Sequence, residues 1–364
     1  GSGSKIRYTG TGIAILIDGT ASPAYRILST FSDFTVEGNS GSSAGYGIKI
    51  SECANVCMQN VYILNFNAGL FLKGSLICNF SNIYCKDNHT VGILMETGTV
   101  IPSPVNLVSF NDCQILGSLS EAIRCDQGAS VTFNSCEIEQ NGQAGNTSPI
   151  CNFTDMGPVG VEPGVVFNSC WFESNEGLAD VYYRGNNTNS GIGLNNCSFY
   201  STSVTSNVDV DSGIVSMFGC GMNAPVLSNN LLFGSSVSGS VFGCAYITLS
   251  NASSQVMVQS SKINTFESSV NTKSGTGFGV YRSGVSGGMF RINNSVAGNR
   301  LDFLSDVASD EFYFANNVYL DGAWNTSLLR MGAYRLWVDS SGRLRIKNGV
   351  PTSDTDGTVV GTQT

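Results

Sequence analysis

A four-residue phrase that recurs along the middle of the chain constrains its fold more than any other feature. The phrase is an apolar residue, an asparagine, a polar residue and a cysteine. It occurs as Phe110–Cys113, Phe133–Cys136, Phe167–Cys170 and Leu194–Cys197. Its cysteines are 23, 34 and 27 residues apart, and intervals of 23 and 24 lead on to Cys220 and Cys244. Each interval holds short Val, Ile and Phe alternations separated by Gly and Asn, so each predicts one three-stranded coil of a right-handed parallel β-helix.

Stacking of equivalent residues follows from this architecture. One coil cannot bury its own apolar face, so side chains of successive coils stack at the ~4.8 Å spacing of neighbouring strands. We expect Cys, Phe and Ile inside. The asparagines are expected at a tight turn, because Asn tolerates the left-handed conformation and its amides can hydrogen-bond along a column. Upstream, Cys57, Cys85 and Cys113 are each 28 residues apart and are expected to continue the period.

Composition supports an all-β chain and argues against two classes of binding partner. Charged residues make up 12% of the 364 residues, hydrophobic residues make up 41%, and 43 residues are glycine. A disordered chain would combine low hydrophobicity with high charge. The net charge of −9 argues against nucleic acid, which is bound by clustered basic residues. Since no run approaches the ~18 apolar residues of a membrane helix, we expect no membrane partner either.

The cysteines predict neither a disulfide framework nor a metal site. All twelve lie singly, mostly inside apolar runs, as buried free thiols do. We therefore expect synthesis in a cytoplasm, without disulfides. The closely spaced pair Cys53 and Cys57 has only one histidine in the whole chain to accompany it, which is a poor zinc signature. No metal and no cofactor are expected.

Changes in composition divide the chain into three parts. Residues 1–4 are expected to be a cloning scar on a chain cut from a longer protein. Residues 5–248 are expected to form the β-helix. Residues 249–364 are expected to form a β-rich C-terminal region, in which a hairpin turns at Ser340–Gly342 and a polar tail follows Thr352.

Alignment of the coils on the cysteines predicts which side chains face outward. Strand alternation turns the residues one and three positions after each cysteine to the outside. The first column contains Gln114, Glu137, Trp171 and Ser198. The second column contains Leu116, Glu139, Glu173 and Tyr200. Neighbouring coils would therefore bring three carboxylates and two aromatic rings to one outer patch, with nothing basic in these columns.

Such a patch suits glycoside hydrolysis. Like charges stacked ~5 Å apart repel, so folding alone does not favour them. A glycosidase needs one protonated and one ionised carboxyl group on either side of the bond that it cleaves. We predict that Glu139 and Glu173 are the catalytic pair and that Glu137, Trp171 and Tyr200 bind substrate. The alternative is a solvated outer face, with Trp171 covered by a neighbouring subunit.

A second polar set is expected to face outward on the strand that contains Asp180, Tyr182 and Arg184. Arg184 is suited to anchor a sugar carboxylate, so all three residues are predicted to bind substrate. The alternative is a ladder of ion pairs or a subunit contact. A polysaccharide lyase, which needs a base and a group that neutralises a uronic acid, would instead use Arg184 with Tyr182 or Tyr200.

Two segments resemble a known family. The closing phrase MGAYRLWVDSSGRLRIKNGVPTSDTDGTVVGTQT resembles the C-terminal end of bacteriophage tailspike depolymerases, in particular those of phages attacking Acinetobacter. The stretch from FSDFTVEGN to NAGLFLKG is similar to their pectate-lyase-like β-helix. The resemblance implies a homotrimeric virion spike that binds and cleaves capsular polysaccharide or O-antigen and joins the phage tail or baseplate through an N-terminal part.

The resemblance leaves the reaction open. It implies that residues 249–364 serve trimerisation and receptor binding and that synthesis takes place in the host cytoplasm, but it supplies no catalytic residues. Hydrolysis by the paired glutamates is the favoured prediction. The alternatives are a polysaccharide lyase and a receptor-binding spike that does not cleave.

Overall fold

The computed structural model describes most of the chain as strands and turns. The described residues are 4–20, 26–39, 45–99, 104–128, 130–156, 164–186, 190–222, 227, 230–245, 247–251, 255–259, 263–268, 277–281, 288–293, 329–331 and 333–360. Residues 1–3 of the expected cloning scar and the whole stretch from 294 to 328 lie outside these ranges. No helix long and apolar enough to span a membrane occurs within them.

Twenty-five strands form one continuous parallel sheet. In chain order these strands are β1 (Ser4–Arg7), β2 (Ile13–Asp18), β3 (Arg26–Glu37), β4 (Tyr46–Ser51), β5 (Ala54–Leu64), β6 (Ala68–Lys73), β7 (Asn79–Lys86), β8 (Val91–Glu96), β9 (Val108–Asn111), β10 (Gln114–Leu116), β11 (Glu121–Asp126), β12 (Val131–Asn134), β13 (Glu137–Glu139), β14 (Cys151–Met156), β15 (Gly164–Asn168), β16 (Trp171–Glu173), β17 (Glu176–Gly185), β18 (Gly191–Asn195), β19 (Ser198–Phe199), β20 (Ser203–Phe218), β21 (Gly221–Met222), β22 (Leu231–Phe242), β23 (Ile247–Asn251), β24 (Gln255–Gln259) and β25 (Ile263–Ser268). Each strand pairs with a strand of the next coil, which confirms the predicted parallel β-helix.

Pairing sorts the strands into three faces. Face 1 contains β9, β12, β15 and β18. Face 2 contains the short strands β10, β13, β16, β19 and β21. Face 3 contains β4, β6, β8, β11, β14 and β17. Longer strands such as β5 and β7 turn a corner and contribute to faces 1 and 2, and parallel pairing continues through β25.

Equivalent phenylalanines stack through the interior. Phe80, Phe110, Phe133 and Phe167 are fully buried, and their successive ring centroids are 4.9, 4.9 and 4.7 Å apart. These separations match the ~4.8 Å rise between neighbouring strands. Each ring therefore packs against the same residue type in the next coil, as the repeated phrase predicts.

The asparagines of the phrase form an amide ladder at the corner between faces 1 and 2. The Nδ2 of each asparagine donates to the Oδ1 of the asparagine one coil earlier, at 2.8–2.9 Å, along the series Asn79, Asn111, Asn134, Asn168 and Asn195. The prediction that asparagine itself adopts the left-handed conformation is wrong. Each asparagine of the phrase, from Asn111 to Asn195, ends its strand, and the positive φ falls on the next residue, at Asp112, Ser135, Ser169 and Asn196.

The cysteine column begins later than the 28-residue intervals predict. From Cys113 onward the buried thiols of the phrase donate to backbone carbonyls, for example from Cys136 to Phe110 at 3.5 Å. Cys57, however, is exposed on face 1, whereas Cys85 is buried on face 2 opposite Ile115. The two equal intervals upstream therefore join residues that are not equivalent.

The C-terminal unit contains a separate antiparallel sheet of β28 (Leu329–Met331), β29 (Tyr334–Val338), β30 (Leu344–Asn348) and β31 (Thr358–Val359). The predicted hairpin joins β29 to β30. Its turn is closed by the Asp339 carboxylate, which accepts from the backbone N–H groups of Ser341 and Arg343. A two-stranded sheet of β26 (Gly277–Tyr281) and β27 (Gly288–Asn293) completes the described strands.

Candidate active site

The outward columns predicted for face 2 are present in the strand register. Glu137 pairs with Gln114 on one side and with Trp171 on the other, and Glu139 pairs with Glu173. We call Glu137, Glu139 and Glu173 the carboxylate patch. All three side chains are partly exposed on the same outer face, on two neighbouring strands.

Short, strongly anchored strands hold the patch. β13 and β16 are each three residues long, and their central residues, Ile138 and Phe172, are fully buried. A residue with a positive φ angle lies on each side of both strands. Ser135 and Gln140 flank β13, and Ser169 and Ser174 flank β16. Because both ends of each strand are fixed by tight corners, the flanking glutamates have little freedom to move apart.

Glu139 has the protonation behaviour expected of a general acid. Partial burial, a hydrogen bond with Glu137 and the charges of Glu137 and Glu173, in that order, raise the pKa of Glu139 to about 7. Gln114 Nε2 donates to Glu137 Oε2 at 2.7 Å, which leaves the other oxygen of Glu137 available to Glu139. Burial and the crowding of carboxyl groups thus favour a proton on Glu139 at neutral pH.

Glu173 is held by an indole N–H group. Trp171 Nε1 donates to Glu173 Oε2 at 2.8 Å, which fixes the position of this carboxyl group beside the ring. The Trp171 ring also stacks on Tyr200, with centroids 4.4 Å apart and planes inclined by 22°. Trp171 remains 38% exposed, so this aromatic pair offers a flat apolar surface beside the carboxylates.

An inserted corner starts at the end of the patch. Residues 140–150 connect β13 on face 2 to β14 on face 3, directly after Glu139. Asn146 fixes this loop, because its Nδ2 donates to the carbonyls of Ser120 and Glu176 and its Oδ1 accepts from the Ser148 N–H. β14 follows this loop, and residues 157–163 lie outside the described ranges.

Tyr182 and Arg184 lie elsewhere, on face 3. Tyr182 pairs with Asn152 and Asp209, and Arg184 forms an ion pair with Asp155 at 3.2 Å. Burial, with the charge of Asp211, raises the pKa of Tyr182. The fold therefore separates this group from the carboxylate patch by a corner of the coil.

The prediction that Asp180 faces outward is wrong. Its side chain is fully buried, where it accepts hydrogen bonds from Asn175, Ser201 and Asn207 at 2.9, 2.7 and 2.7 Å. Burial raises its pKa to about 6 although these bonds oppose the shift. Ala179, Asp180 and Val181 are all buried, because the in-and-out alternation of a strand fails near the corner from face 2 to face 3.

Comparison with known proteins identifies the family of the solenoid. A family described as right handed beta helix region matches residues 2–188. The chain belongs to the right-handed β-helix family. A family described as capsule depolymerase matches residues 307–362, which confirms the resemblance predicted from the closing phrase. No curated protein matches the chain.

Three solved structures with a similar backbone are proteins of phages or viruses. The gp42 tailspike of Acinetobacter phage vb_AbaP_AS12 is 12% identical, with a TM-score of 0.49, over 87% of this chain and 56% of its own. ORF18 of Geobacillus virus E2 is 13% identical, with a TM-score of 0.46, over 96% of this chain and 72% of its own. The tailspike gp49 of Pseudomonas phage LKA1 is 13% identical, with a TM-score of 0.36, over 71% of this chain and 49% of its own. The chain thus spans about half the length of the first tailspike.

One contact at the candidate site of this right-handed β-helix was not predicted from the sequence. Gln114 appears in the first outward column, but its hydrogen bond to Glu137 assigns it a role in orienting that carboxylate. Its position one coil before Glu137 was the available signal. Within the described ranges, no group of three His, Cys, Asp or Glu side chains is arranged to hold a metal ion.

Proposed function

We propose that this chain is the glycan-cleaving part of a phage spike and hydrolyses a capsular polysaccharide or O-antigen at the carboxylate patch. The match of residues 307–362 to a capsule depolymerase family supports the substrate class. The pairing of a proton-bearing Glu139 with an indole-bound Glu173 on adjacent strands is the observation that carries the proposal. Assembly as a homotrimer in the virion tail belongs to the same proposal.

The geometry suggests how the bond is cleaved. Glu139 donates its proton to the glycosidic oxygen as the bond from that oxygen to the anomeric carbon breaks. The Glu173 carboxylate acts on the opposite side of the bond that is cleaved. It either attacks the anomeric carbon to form a glycosyl-enzyme that water hydrolyses, or removes a proton from a water that attacks directly. Water supplies the hydroxyl group of the new reducing end in both cases.

The remaining patch residues fit substrate-binding roles. Trp171 and Tyr200 provide the stacked surface on which a pyranose ring lies, and Glu137 hydrogen-bonds a sugar hydroxyl once Glu139 has lost its proton. Tyr182 and Arg184 would contact substituents of a polymer that reaches face 3. Asp180 has no direct role in this proposal because it is buried.

A lyase is the less favoured reaction. Its best base on face 3 is Tyr182, but the raised pKa of that phenol reduces the ionised fraction. Arg184, the group that would neutralise a uronic acid, already pairs with Asp155. The alternative of a spike without catalysis predicts binding but no shortening of the polymer.

Paired substitutions test the proposal. The variants Glu139→Gln and Glu173→Gln keep the size of the side chains but remove the acid and the carboxylate. We expect each to lose at least a hundredfold in kcat, with binding of the polymer to the folded protein retained. Glu96→Gln is the matched control, because Glu96 ends β8 on face 3. Wild-type turnover in both patch variants would refute the assignment.

A further inference from the structure

The first outward column of face 2 continues toward the N-terminal coils with two aromatic residues. Tyr62 pairs with Tyr84, and Tyr84 pairs with Gln114, which pairs with Glu137. The Tyr62 and Tyr84 rings are 5.2 Å apart and inclined by 47°. Tyr62 is 45% exposed and Tyr84 is half-buried, so the rings form an outer surface of the solenoid and no part of its core. We call these two residues the distal tyrosine pair.

Along the first column, the distal tyrosine pair lies on one side of Glu137, and Trp171, which stacks on Tyr200, lies on the other. At ~4.8 Å per coil, Tyr84 is two coils, or ~10 Å, before Glu137, and Trp171 is one coil after it. Tyr62 and Trp171 are separated by four coils, or ~19 Å. An extended polysaccharide laid parallel to the solenoid axis would therefore meet an aromatic surface, then carboxyl groups, then a second aromatic surface.

Folding does not account for the distal pair. A cross-strand aromatic pair on a solvated face contributes only ~0.2–1 kcal/mol. Lys86 lies on the same strand as Tyr84 and also faces outward, in the column that leads through Leu116 to Glu139. Among the described residues its ammonium group forms no ion pair, so it is available to polar groups of a bound sugar.

Resting on the proposed function, we infer that the distal tyrosine pair is a second sugar-binding subsite. It holds the polymer several sugar residues away from the bond that is cleaved, on the N-terminal side of the patch. This arrangement requires the substrate to run along the solenoid axis and to pass across the carboxylates. It predicts internal cleavage of a long chain, because both sides of the scissile bond are bound before the bond breaks.

Binding and kinetics of ring-deleted variants test this inference. The probe is capsular polysaccharide from a strain on whose lawn the purified protein forms a halo, together with the single repeat unit of the same polymer. We expect Tyr62→Ala and Tyr84→Ala each to weaken binding of the polymer about tenfold and to raise KM with kcat unchanged. The single repeat unit should lose less affinity than the polymer in both variants, because it has fewer sugars to place on the distal tyrosine pair.

Two control variants separate a subsite from a structural role. Tyr84→Phe should restore binding, because stacking needs the ring. Phe218→Ala, which removes an exposed ring that lies outside face 2, should bind like wild type. Polymer affinity in both tyrosine-to-alanine variants equal to that of Phe218→Ala would overturn the subsite while leaving hydrolysis intact. A wild-type protein that neither binds nor cleaves the capsule of any strain would refute the proposed function and, with it, this inference.

Discussion

The protonation of Glu139 makes a quantitative prediction for the dependence of activity on pH. Its raised pKa of about 7 means that the acid form, which donates the proton, is ~90% populated at pH 6, ~50% at pH 7 and ~1% at pH 9. We therefore expect kcat/KM to fall above pH 7 by about tenfold per pH unit. The fall occurs on the alkaline side because a group with a raised pKa loses its proton as the pH passes through that value. An ordinary glutamate would already have lost its proton above a pH of ~4.3.

The Glu137→Gln variant tests the cause of this shift. It removes the hydrogen bond from Glu137 and its charge, which are the second and third causes of the raised pKa, and leaves the burial of Glu139 in place. The fall in activity on the alkaline side should therefore begin at lower pH than in wild type. The assay measures the release of reducing ends from pH 5 to 9, with Glu96→Gln as control. The reasoning would be refuted if the activity of Glu137→Gln fell at the same alkaline pH as that of wild type.

Three further predictions concern the fold. Thiol-reactive maleimide should label the exposed Cys57 alone in the native protein and all twelve cysteines after unfolding, and Cys57→Ser should abolish native labelling; fewer than twelve thiols would indicate a disulfide. Phe133→Ala should cost about 3–5 kcal/mol in denaturant unfolding, because the ring is fully buried between two stacked rings, and a loss below ~1 kcal/mol would contradict the column. Burial opposes the ionisation of Asp339, but hydrogen bonds from Arg345 and from the backbone outweigh burial and lower the pKa of Asp339. The stability that this carboxylate gives to the C-terminal sheet is therefore present above pH ~4 and is lost as the pH falls further. Asp339→Asn should therefore speed hydrogen exchange of β29 and β30 at pH 7 and progressively less below pH 4, and an equal effect at both pH values would count against this ion pair.

The repeated phrase specified the register of the middle coils from sequence alone. Its cysteine and phenylalanine sit at fixed positions around each coil, so counting from them places Glu137, Glu139, Trp171 and Glu173 in their observed columns. Such counting works because each position of a parallel solenoid repeats in the next coil. The corner was predicted less well, since only the backbone shows that the residue after asparagine takes the positive φ.

Predictions failed where this phrase is absent or where a strand meets a corner. Upstream of Cys113 the equal cysteine intervals suggested a column, but the coils differ in length. Cys57 pairs with Asn79, 22 residues later, and Cys85 pairs with Ile115, 30 residues later, so the two cysteines lie on different faces. Without the upstream register, the alignment of Tyr62 and Tyr84 with the patch was invisible. Asp180 was assigned to the outside by alternation, whereas three amide and hydroxyl donors near the corner stabilise its carboxyl group inside.

The origin of the oxygen in the products tests the central claim most directly. Wild-type protein is incubated with a susceptible capsular polysaccharide in water enriched in oxygen-18, and the fragments are analysed by mass and by ultraviolet absorbance. The account predicts one heavy oxygen at each new reducing end and no absorbance from an unsaturated sugar. It predicts at least a hundredfold slower release of fragments by Glu139→Gln and by Glu173→Gln. Unsaturated fragments without the heavy oxygen would show elimination and would contradict hydrolysis at the carboxylate patch.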